Sequence, residues 1–415
     1  MSKRVVITGM GAITPVGQTV DALWEAVRDG RSGIGPITLF DASDLDTRIA
    51  GEVKEWDPVA RFGVKSARRL DRFMQFAVAA AEDAVAQSGL RVGPENSDRV
   101  GVIIGSGIGG MGTLVEQMDV LREKGPRRVS PFLVPMMLAD SAAGQVAINI
   151  GARGPNMAVL SACASSTQAI GEAGEVIRRG AADVVICGGA EAGILRLAVA
   201  AFNVMGAIST YNDAPERACR PFDATRNGFV MGEGAGVLVL ESLEHAQARG
   251  ARVLGELVGY GASADAVHIT APAEDGAGAA LAMRHALHSG GIAPEEIDYI
   301  NAHGTATPLN DVMETRAIKT VFGERARQIP VSSTKSVTGH LLGSAGAVEA
   351  IICLKALEAG IIPPTINYAT PDPECDLDYV PNVARPARLR TVMSNSFGFG
   401  GHNATIILRV PLDLG

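Results

Sequence analysis

Cys163 has the surroundings that a cysteine nucleophile needs. It follows an apolar strand ending at Leu160 and precedes Ser165-Ser-Thr-Gln-Ala-Ile, so the sequence predicts that its sulfur lies at a helix N-terminus. Unpaired backbone N–H groups and the helix dipole stabilise a thiolate there, and we therefore expect a pKa below the usual value of about 8.5. The alternative, a thiol packed as a small apolar side chain, fits Cys187 and Cys353 better because both lie inside apolar runs.

Two of the seven histidines lie in turns rich in small and hydroxyl-bearing residues. His303 falls in Tyr299-Ile-Asn-Ala-His-Gly-Thr-Ala-Thr-Pro, and His340 ends the segment Ser332-Ser-Thr-Lys-Ser-Val-Thr-Gly-His. The sequence has none of the short spacings of a metal site, such as HxxxH. Two neutral imidazoles that converge on a thiol are instead suited to donating hydrogen bonds to developing negative charge.

A glycine-rich turn near the C-terminus could add a backbone donor. The segment Ser394-Asn-Ser-Phe-Gly-Phe-Gly-Gly-His-Asn fits an ordinary β-turn, and it equally fits a loop that offers an N–H to a reacting carbonyl oxygen. A second segment, Gly105-Ser-Gly-Ile-Gly-Gly, formally matches the dinucleotide pattern GxGxxG. In a chain with 49 glycines, one such match favours tight turns over a nucleotide site.

The elements that must position these residues alternate between strands and helices. The 415 residues include 49 glycines and only 18 aromatics (11 Phe, 5 Tyr, 2 Trp), which indicates a layered α/β protein with an aliphatic core and many tight turns. Strands are predicted at Val5–Thr8, Arg99–Ile104, Met157–Leu160, Asp183–Cys187 and Gly236–Leu240, and helices at Phe73–Ser88 and Ser165–Arg179.

The strand pattern restarts at Val253 after a charged stretch with helix breakers over residues 243–252. We therefore predict two halves, residues 1–250 with the nucleophile and residues 251–415 with both histidines. The halves echo each other, because Val159-Leu160 and Ile329-Pro-Val-Ser-Ser each lead through a polar turn into a helix. A duplicated βαβ architecture would bring these turns together across a pseudo-twofold axis.

Charge and cysteine content narrow the function classes. The net charge of −8 and the pI of about 5.5 argue against nucleic-acid binding. Five scattered cysteines without a CxxC pattern form neither a disulfide framework nor a zinc site, and they favour a reducing cytoplasm. The apolar run at the N-terminus is too short for a signal peptide, and no segment reaches the roughly 18 apolar residues of a membrane span.

Together these segments closely resemble the β-ketoacyl-acyl-carrier-protein synthases, the condensing enzymes of fatty acid synthesis, and among them the type II enzymes. The resemblance covers nearly the whole chain, from Val5 to Leu408. The motifs that carry it are Ala162-Cys-Ala-Ser-Ser, Asn301-Ala-His-Gly-Thr-Ala-Thr-Pro-Leu-Asn-Asp, Ser333-Thr-Lys-Ser-Val-Thr-Gly-His and Asn395-Ser-Phe-Gly-Phe-Gly-Gly.

The resemblance implies a fold, an assembly and a catalytic set. The fold is thiolase-like, with two pseudo-duplicated βαβαβαββ halves in a five-layer αβαβα arrangement, and the assembly is a homodimer. Cys163 would accept the acyl group, with His303 and His340 as the paired imidazoles and Lys335 as a nearby catalytic-site lysine. The N–H groups of Cys163 and Phe399 would form the oxyanion hole, with Phe399 also gating the site.

The resemblance also implies how substrates are held. Ile108 and Phe202 match positions that line the acyl pocket, so the glycine-rich segment at 105–110 is expected to be pocket wall. Thr305 and Thr307 match hydroxyls that contact the phosphopantetheine arm of acyl carrier protein, and Thr270 is a further substrate-binding residue. No cofactor is expected to be required. A structural monovalent cation, Na⁺ or K⁺, is expected at Asn301, Ala302, Glu349, Ser394 and Asn395.

Local basic clusters gain meaning because the carrier protein is acidic. Lys65, Arg68, Arg69 and Arg72 recur at the spacing of one helix face, and Arg127-Arg128 form a second cluster. A solvated helix face would normally mix both signs of charge. Since matching family positions contact the carrier, we predict that it docks on these residues.

Three other functions fit parts of the sequence. An active ketosynthase subunit of an aromatic polyketide synthase keeps the same catalytic residues but works as a heterodimer. The inactive chain-length partner of such systems characteristically lacks the nucleophile, and a nucleotide-binding oxidoreductase rests on the glycine match alone. Residues 193–205 are less typical of the family and include the pocket position Phe202, so the preferred chain length stays open.

Overall fold

The computed structural model describes residues 3–411. Its strands are β1 (Val5–Ile13), β2 (Gly35–Pro36), β3 (Ile49–Ala50), β4 (Val100–Gly105), β5 (Asn156–Val159), β6 (Val184–Glu191), β7 (Gly234–Ser242), β8 (Gly255–Ala264), β9 (Tyr299–Asn301), β10 (Val331–Ser332), β11 (Ile361–Ile362), β12 (Arg385–Pro386), β13 (Thr391–Gly398) and β14 (His402–Arg409). Its α-helices are α1 (Val20–Arg28), α2 (Pro58–Ala67), α3 (Arg72–Ser88), α4 (Met111–Lys124), α5 (Leu133–Met137), α6 (Ser141–Ile150), α7 (Ser165–Arg178), α8 (Arg196–Val204), α9 (Leu243–Ala248), α10 (Ala277–Gly290), α11 (Pro308–Phe322), α12 (Lys335–Thr338) and α13 (Ala345–Ala359).

The main sheet is symmetric about its centre. Its strand order is β10-β9-β13-β14-β8-β1-β7-β6-β4-β5, so the first half of the chain builds one side and the second half builds the other. Outward from the centre, each side has two antiparallel pairings and then two parallel ones. The two sides join where Val6 and Ile7 of β1 pair with Glu256 and Gly255 of β8.

Helices cover the two half-sheets in five layers. The buried helices α7 and α13 contact each other and the strands of both sides, so they form the middle layer. Helices α3 and α6 cover the outer face of the first half-sheet, and α10 packs against β8 and β14 beside α11 on the outer face of the second. The thiolase-like five-layer prediction is therefore confirmed.

Glycines allow these layers to approach closely. A Cβ atom added at Gly9 or Gly11 of β1 would overlap the carbonyl oxygens of Ala84 or Ala80 in α3. In the middle layer, a Cβ at Gly346 of α13 would overlap the hydroxyl of Thr167 in α7. The glycine excess in the sequence therefore reflects contact between layers as well as tight turns.

The predicted strands and helices are present with small shifts in their ends. The first strand continues past Thr8 to Ile13, because the two glycines within it pack on α3 and do not end it. Helix α9 occupies part of the charged stretch at 243–252, which had been predicted only as an interruption. Within residues 3–411, no helix has the length and apolar character that a membrane crossing requires.

Candidate active site

The nucleophile candidate lies at a strained junction between a strand and a helix. Strand β5 leads into a 3₁₀ turn at Ala162–Ala164, and α7 begins at Ser165. Ala162 has a φ of +50°, a conformation that L-residues rarely adopt. The Ser165 hydroxyl accepts the Ser161 N–H at 2.9 Å and donates to the Ala162 carbonyl at 2.7 Å, which holds the turn. Cys163 is thereby presented, half-buried, to the cavity described below.

The pKa prediction for this thiol is wrong in direction. Burial raises the pKa of Cys163 to about 12. The charge of Lys335 and the backbone N–H groups of Phe399 and Cys163 act in the expected direction but do not outweigh desolvation. The group is therefore a thiol in this state, and its proton must leave during the reaction.

The predicted oxyanion donors meet at the sulfur because residue 398 has no side chain. A Cβ at Gly398 would lie 2.6 Å from the Ser161 oxygen and 3.0 Å from the Cys163 nitrogen. This close approach brings the end of β13 against the nucleophile turn, and the Phe399 and Cys163 N–H groups both face the sulfur. The glycine-rich turn therefore does more than reverse the chain.

His303 and His340 are neighbours in the same cavity. Their ring centroids lie 5.3 Å apart with the planes at 84°, and both side chains are buried. His303 follows β9, and the rings of Phe397 and Phe229 pack against His303 and His340 respectively. The sequence placed these histidines 37 positions apart, and the parallel neighbours β9 and β10 bring their segments together.

Both imidazoles are neutral. Burial lowers the pKa of each well below 6.5, and the charge of Lys335 lowers both further. The Leu342 N–H donates to Nδ1 of His340 at 3.3 Å, so the proton of that ring lies on Nε2. His340 can therefore donate a hydrogen bond from Nε2, as expected for a residue that stabilises negative charge.

Lys335 lies behind the imidazoles and does not line the cavity. Its ammonium forms a buried ion pair with Oε1 of Glu349. The other oxygen of that carboxylate has no hydrogen-bond partner among the described residues, and the same holds for Asn301 Oδ1 and Ser394 Oγ. Such unpaired buried oxygens fit the chemistry of a small cation. The side chain of Asn395 is used otherwise, because its amide links Glu314 and Thr405.

Two buried carboxylates that the sequence analysis missed organise the site. Glu314 of α11 accepts the N–H groups of His303 at 2.9 Å and Gly304 at 2.8 Å. Glu191, the last residue of β6, accepts from residues on both sides of the cavity. Burial raises the pKa of each to about 7. The sequence does carry a signal for Glu191, because it is a single carboxylate directly after the apolar run Val184–Ala190.

One cavity of about 460 Å³ joins the predicted substrate positions to Cys163, His303 and His340. Ile108 and Phe202 line it, which places the glycine-rich segment at 105–110 in its wall. The hydroxyl residues Thr270, Thr305 and Thr307 also line it. The Thr270 loop is tied to the Phe399 turn, because the Gly400 N–H donates to the Ile269 carbonyl at 2.6 Å.

The basic residues predicted for docking do not share one helix face. Helix α2 ends at Ala67 and α3 begins at Arg72, because the carboxylate of Asp71 accepts the Phe73 N–H and starts a new helix. Arg72 is half-buried and donates to Glu233 at 2.6 Å, so it is not available to a partner. The remaining basic residues are exposed: Lys65, Arg68, Arg69, Arg127 and Arg128.

The two exposed clusters lie on the same side of the molecule. The guanidinium of Arg69 lies 4.7 Å from the centre of the Phe132 ring, and Phe132 follows Arg127 and Arg128 closely in the chain.

The part of the chain that the structure covers has no group of three or more His, Cys, Asp or Glu side chains that could hold a metal ion.

Comparison with known proteins identifies the family. The model of the beta-ketoacyl synthase N-terminal domain matches residues 2–246, and that of the C-terminal domain matches residues 254–369. The chain belongs to the β-ketoacyl synthase family, whose members are condensing acyltransferases.

Similar proteins carry one recurring name. A protein of Synechocystis called 3-oxoacyl-[acyl-carrier-protein] synthase 2 is 53% identical over 407 residues, which is 98% of each chain. The protein of that name from Staphylococcus aureus is 52% identical over 408 residues, again 98% of each.

Solved ketosynthases have the same fold. A β-ketoacyl synthase from Burkholderia phymatum has a TM-score of 0.92 at 39% identity and covers 99% of this chain and 100% of its own. The ishigamide ketosynthase/chain length factor has a TM-score of 0.92 at 38% identity with the same coverage. A type II polyketide ketosynthase, solved with its acyl-carrier protein, has a TM-score of 0.91 at 35% identity with the same coverage.

Proposed function

We propose that this protein is a 3-oxoacyl-[acyl-carrier-protein] synthase of type 2. It would condense an acyl group held on Cys163 with malonyl-carrier, giving 3-oxoacyl-carrier and CO₂ in fatty acid elongation. The observation that carries the proposal is a single cavity that holds a thiol, two neutral imidazoles and two backbone N–H donors. The identity of 52–53% to synthases of that name supports it over nearly the full chain.

The first step transfers the acyl group. The sulfur of Cys163 attacks the thioester carbonyl of the acyl-carrier, the carrier's C–S bond breaks, and the proton of the thiol ends on the released pantetheine thiol. The N–H groups of Cys163 and Phe399 would hold the oxyanion and stabilise its negative charge. Because burial holds the pKa of the thiol near 12, the proton would leave the sulfur as the new C–S bond forms rather than before it.

The second step forms the new C–C bond. Malonyl-carrier loses CO₂, and the electron pair of the broken bond forms an enolate whose oxygen accepts hydrogen bonds from His303 and His340. The enolate carbon attacks the acyl-cysteine carbonyl, the bond between the acyl carbon and the Cys163 sulfur breaks, and the released thiolate takes a proton from solvent. Neutral imidazoles suit this role because each keeps one N–H to donate to the enolate oxygen and, unlike an imidazolium, is too weak an acid to protonate the enolate. No organic cofactor takes part.

Substrate delivery would use the exposed basic residues. The carrier would dock on Lys65, Arg68, Arg69, Arg127 and Arg128, and Thr270, Thr305 and Thr307 would contact its pantetheine arm. The polyketide ketosynthase solved with its acyl-carrier protein supports a carrier as the partner. Complementary charge mainly raises the rate of encounter, so docking should weaken with salt.

The assembly would be a homodimer that pairs through β5. Strand β5 ends the main sheet with one side unpaired, and Met157 and Leu160 at this edge are exposed. Helix α4 adds an exposed apolar stripe at Leu114, Met118 and Leu121. An exposed apolar sheet edge normally finds a partner. Sedimentation should give a dimer that Met118→Lys weakens, whereas a monomeric native protein would contradict the proposal.

A structural Na⁺ or K⁺ would be held by Asn301, Glu349 and Ser394 through the unpaired oxygens described above, with the backbone of Ala302 and Asn395 beside them. Such an ion would be coordinated by the second oxygen of Glu349, which the Lys335 ion pair leaves without a hydrogen-bond partner. We expect K⁺ or Na⁺ to raise the thermal unfolding midpoint relative to choline at equal ionic strength, less so in Ser394→Ala. Equal midpoints would exclude the ion.

All five cysteines are unpaired, which supports a cytoplasmic location.

Intact-mass measurement after incubation with acyl-carriers of different lengths tests the function. We expect a Cys163-dependent acyl adduct, absent in Cys163→Ala, and 3-oxoacyl product once malonyl-carrier is added. No adduct with any chain length would refute the proposal.

The second candidate, a polyketide ketosynthase subunit, rests on the structural likeness at 35–38% identity. It would require a second chain, so condensation by the purified protein alone would exclude it.

A further inference from the structure

Glu191 joins two walls of the cavity through four hydrogen bonds. Its Oε2 accepts the N–H of Gly107 at 2.6 Å and that of Gly343 at 3.0 Å. Its Oε1 accepts the Ser106 hydroxyl at 3.0 Å and the Ile108 N–H at 3.4 Å. The carboxylate is fully buried, so these donors are its hydrogen-bond environment in place of water.

The backbone that Glu191 holds carries two apolar side chains of the cavity. Ile108 and Leu342 approach each other beside Gly193, where an added Cβ would lie 3.2 Å from the Ile108 Cδ1 and 3.0 Å from the Leu342 Cδ1. Leu342 has a φ of +50° and needs support from its surroundings. A Cβ at Gly343 would come within 2.6 Å of Glu191 Oε2, so no side chain can separate the walls there.

We propose that Glu191 is a positioning residue that sets acyl-chain selectivity by fixing the wall formed by Ile108 and Leu342. This inference rests on the proposed function of the cavity. A carboxylate suits the task because both of its oxygens accept, whereas an amide would turn an NH₂ group toward one pair of donors. A looser wall would follow the acyl chain and lose discrimination between lengths.

The test compares Cys163 acylation rates for carriers loaded with saturated chains of four to eighteen carbons. In Glu191→Gln we expect the ratio of the fastest to the slowest length to fall by about fivefold. Ser106→Ala, which removes one of the four donors, should give a smaller fall in the same ratio and serves if the first variant does not fold. Glu314→Gln is the matched control, because it removes an equally buried carboxylate that holds the opposite wall at His303.

The ratio separates positioning from folding, because partial unfolding slows every chain length by the same factor. Equal slowing of all lengths in both Glu191→Gln and Ser106→Ala would overturn the inference, as would an equal change of ratio in Glu314→Gln. Failure of the native protein to form any Cys163 adduct would instead refute the proposed function. The two failures are therefore distinguishable.

Discussion

The two strand-to-helix junctions, residues 159–165 and 332–345, share a backbone form but differ in chemistry. Each follows an outermost strand of the sheet and ends in a 3₁₀ turn before a buried helix. The first residue of each turn has a φ of +50°, at Ala162 and at Leu342. The middle position is Cys163 in the first turn and Gly343 in the second. Duplication thus supplies two equivalent positions, and only one holds a nucleophile.

The second junction has glycine where the first has cysteine, and its other residues contribute to the site around Cys163. Its extra residues form α12, which begins at Lys335, and lead to His340, which lines the cavity with Cys163; the charge of Lys335 acts from behind the ring. Gly343 donates to Glu191, which belongs to the first half. The proposed site therefore draws on both halves: the first would provide the covalent attachment, and the second would provide charge stabilisation and part of the wall.

Removing the nucleophile should have the largest effect. In Cys163→Ala we expect condensation to fall by about 10³-fold or more, because no covalent intermediate can form. The unfolding midpoint should change little, since alanine keeps the Cβ and only the half-buried sulfur at the cavity is lost. Steady-state product formation measures the rate. A residual rate within tenfold of native would show that the first junction is not the point of attachment.

Adding one methyl group at the equivalent position of the second junction should destabilise the fold. In Gly343→Ala the new Cβ would overlap the Gly107 nitrogen and approach Glu191, and we expect a loss of about 3 kcal/mol in the free energy of unfolding. Gly144→Ala in α6 is the matched control, because its Cβ would meet open space and should stabilise the helix by up to about 1 kcal/mol. Urea titration compares them. Equal stabilities would mean that the second junction is not packed against Gly107 and Glu191.

Reversing basic charges should weaken carrier binding when the residues lie in the first half and not when they lie in the second. In the double variant Arg68→Glu, Arg69→Glu we expect the KM for carrier-bound substrate to rise about tenfold at low salt and much less at high salt. Arg388→Glu, Arg390→Glu is the control, because these exposed residues precede β13 at the end opposite to Phe399. An unchanged KM in the first variant at low salt would show that the carrier does not dock on these residues of the first half.

The protonation of His340, in the second junction, and of its neighbour His303 should not change at mildly acidic pH. Burial and Lys335 lower the pKa of both His303 and His340 well below 6.5, so both rings stay neutral as the pH falls from 8 to 6. Glu314 holds the backbone at His303 and has a pKa of about 7, so we compare malonyl-carrier decarboxylation by Cys163→Gln with and without Glu314→Gln, and we expect a nearly constant rate over this range once Glu314 cannot titrate. A histidine with an ordinary pKa would be about three-quarters protonated at pH 6, giving roughly a fourfold loss. A loss with its midpoint near pH 6.5 would contradict the burial argument.

Much of the molecule could be predicted from short sequence segments. Apolar runs such as Val184–Cys187 fixed the strands, and the echo between the junctions indicated duplication, because both depend on local pattern. Cys163, His303 and His340 were also singled out in this way, as was the turn at 394–403, whereas Phe399 within it was named only through the resemblance to the family. Their flanking small residues and glycines are local signals of a backbone that must come close to something.

The tertiary structure decided what depends on distant neighbours. The sequence could not show that Arg72 pairs with Glu233, 161 positions away, or that burial outweighs a helix terminus at Cys163. Nor could it show that Glu191 and Glu314 each hold one wall of the cavity. Hydrogen bonds and desolvation act through space, so residue type and order determined which groups could react here, while packing determined their protonation and partners.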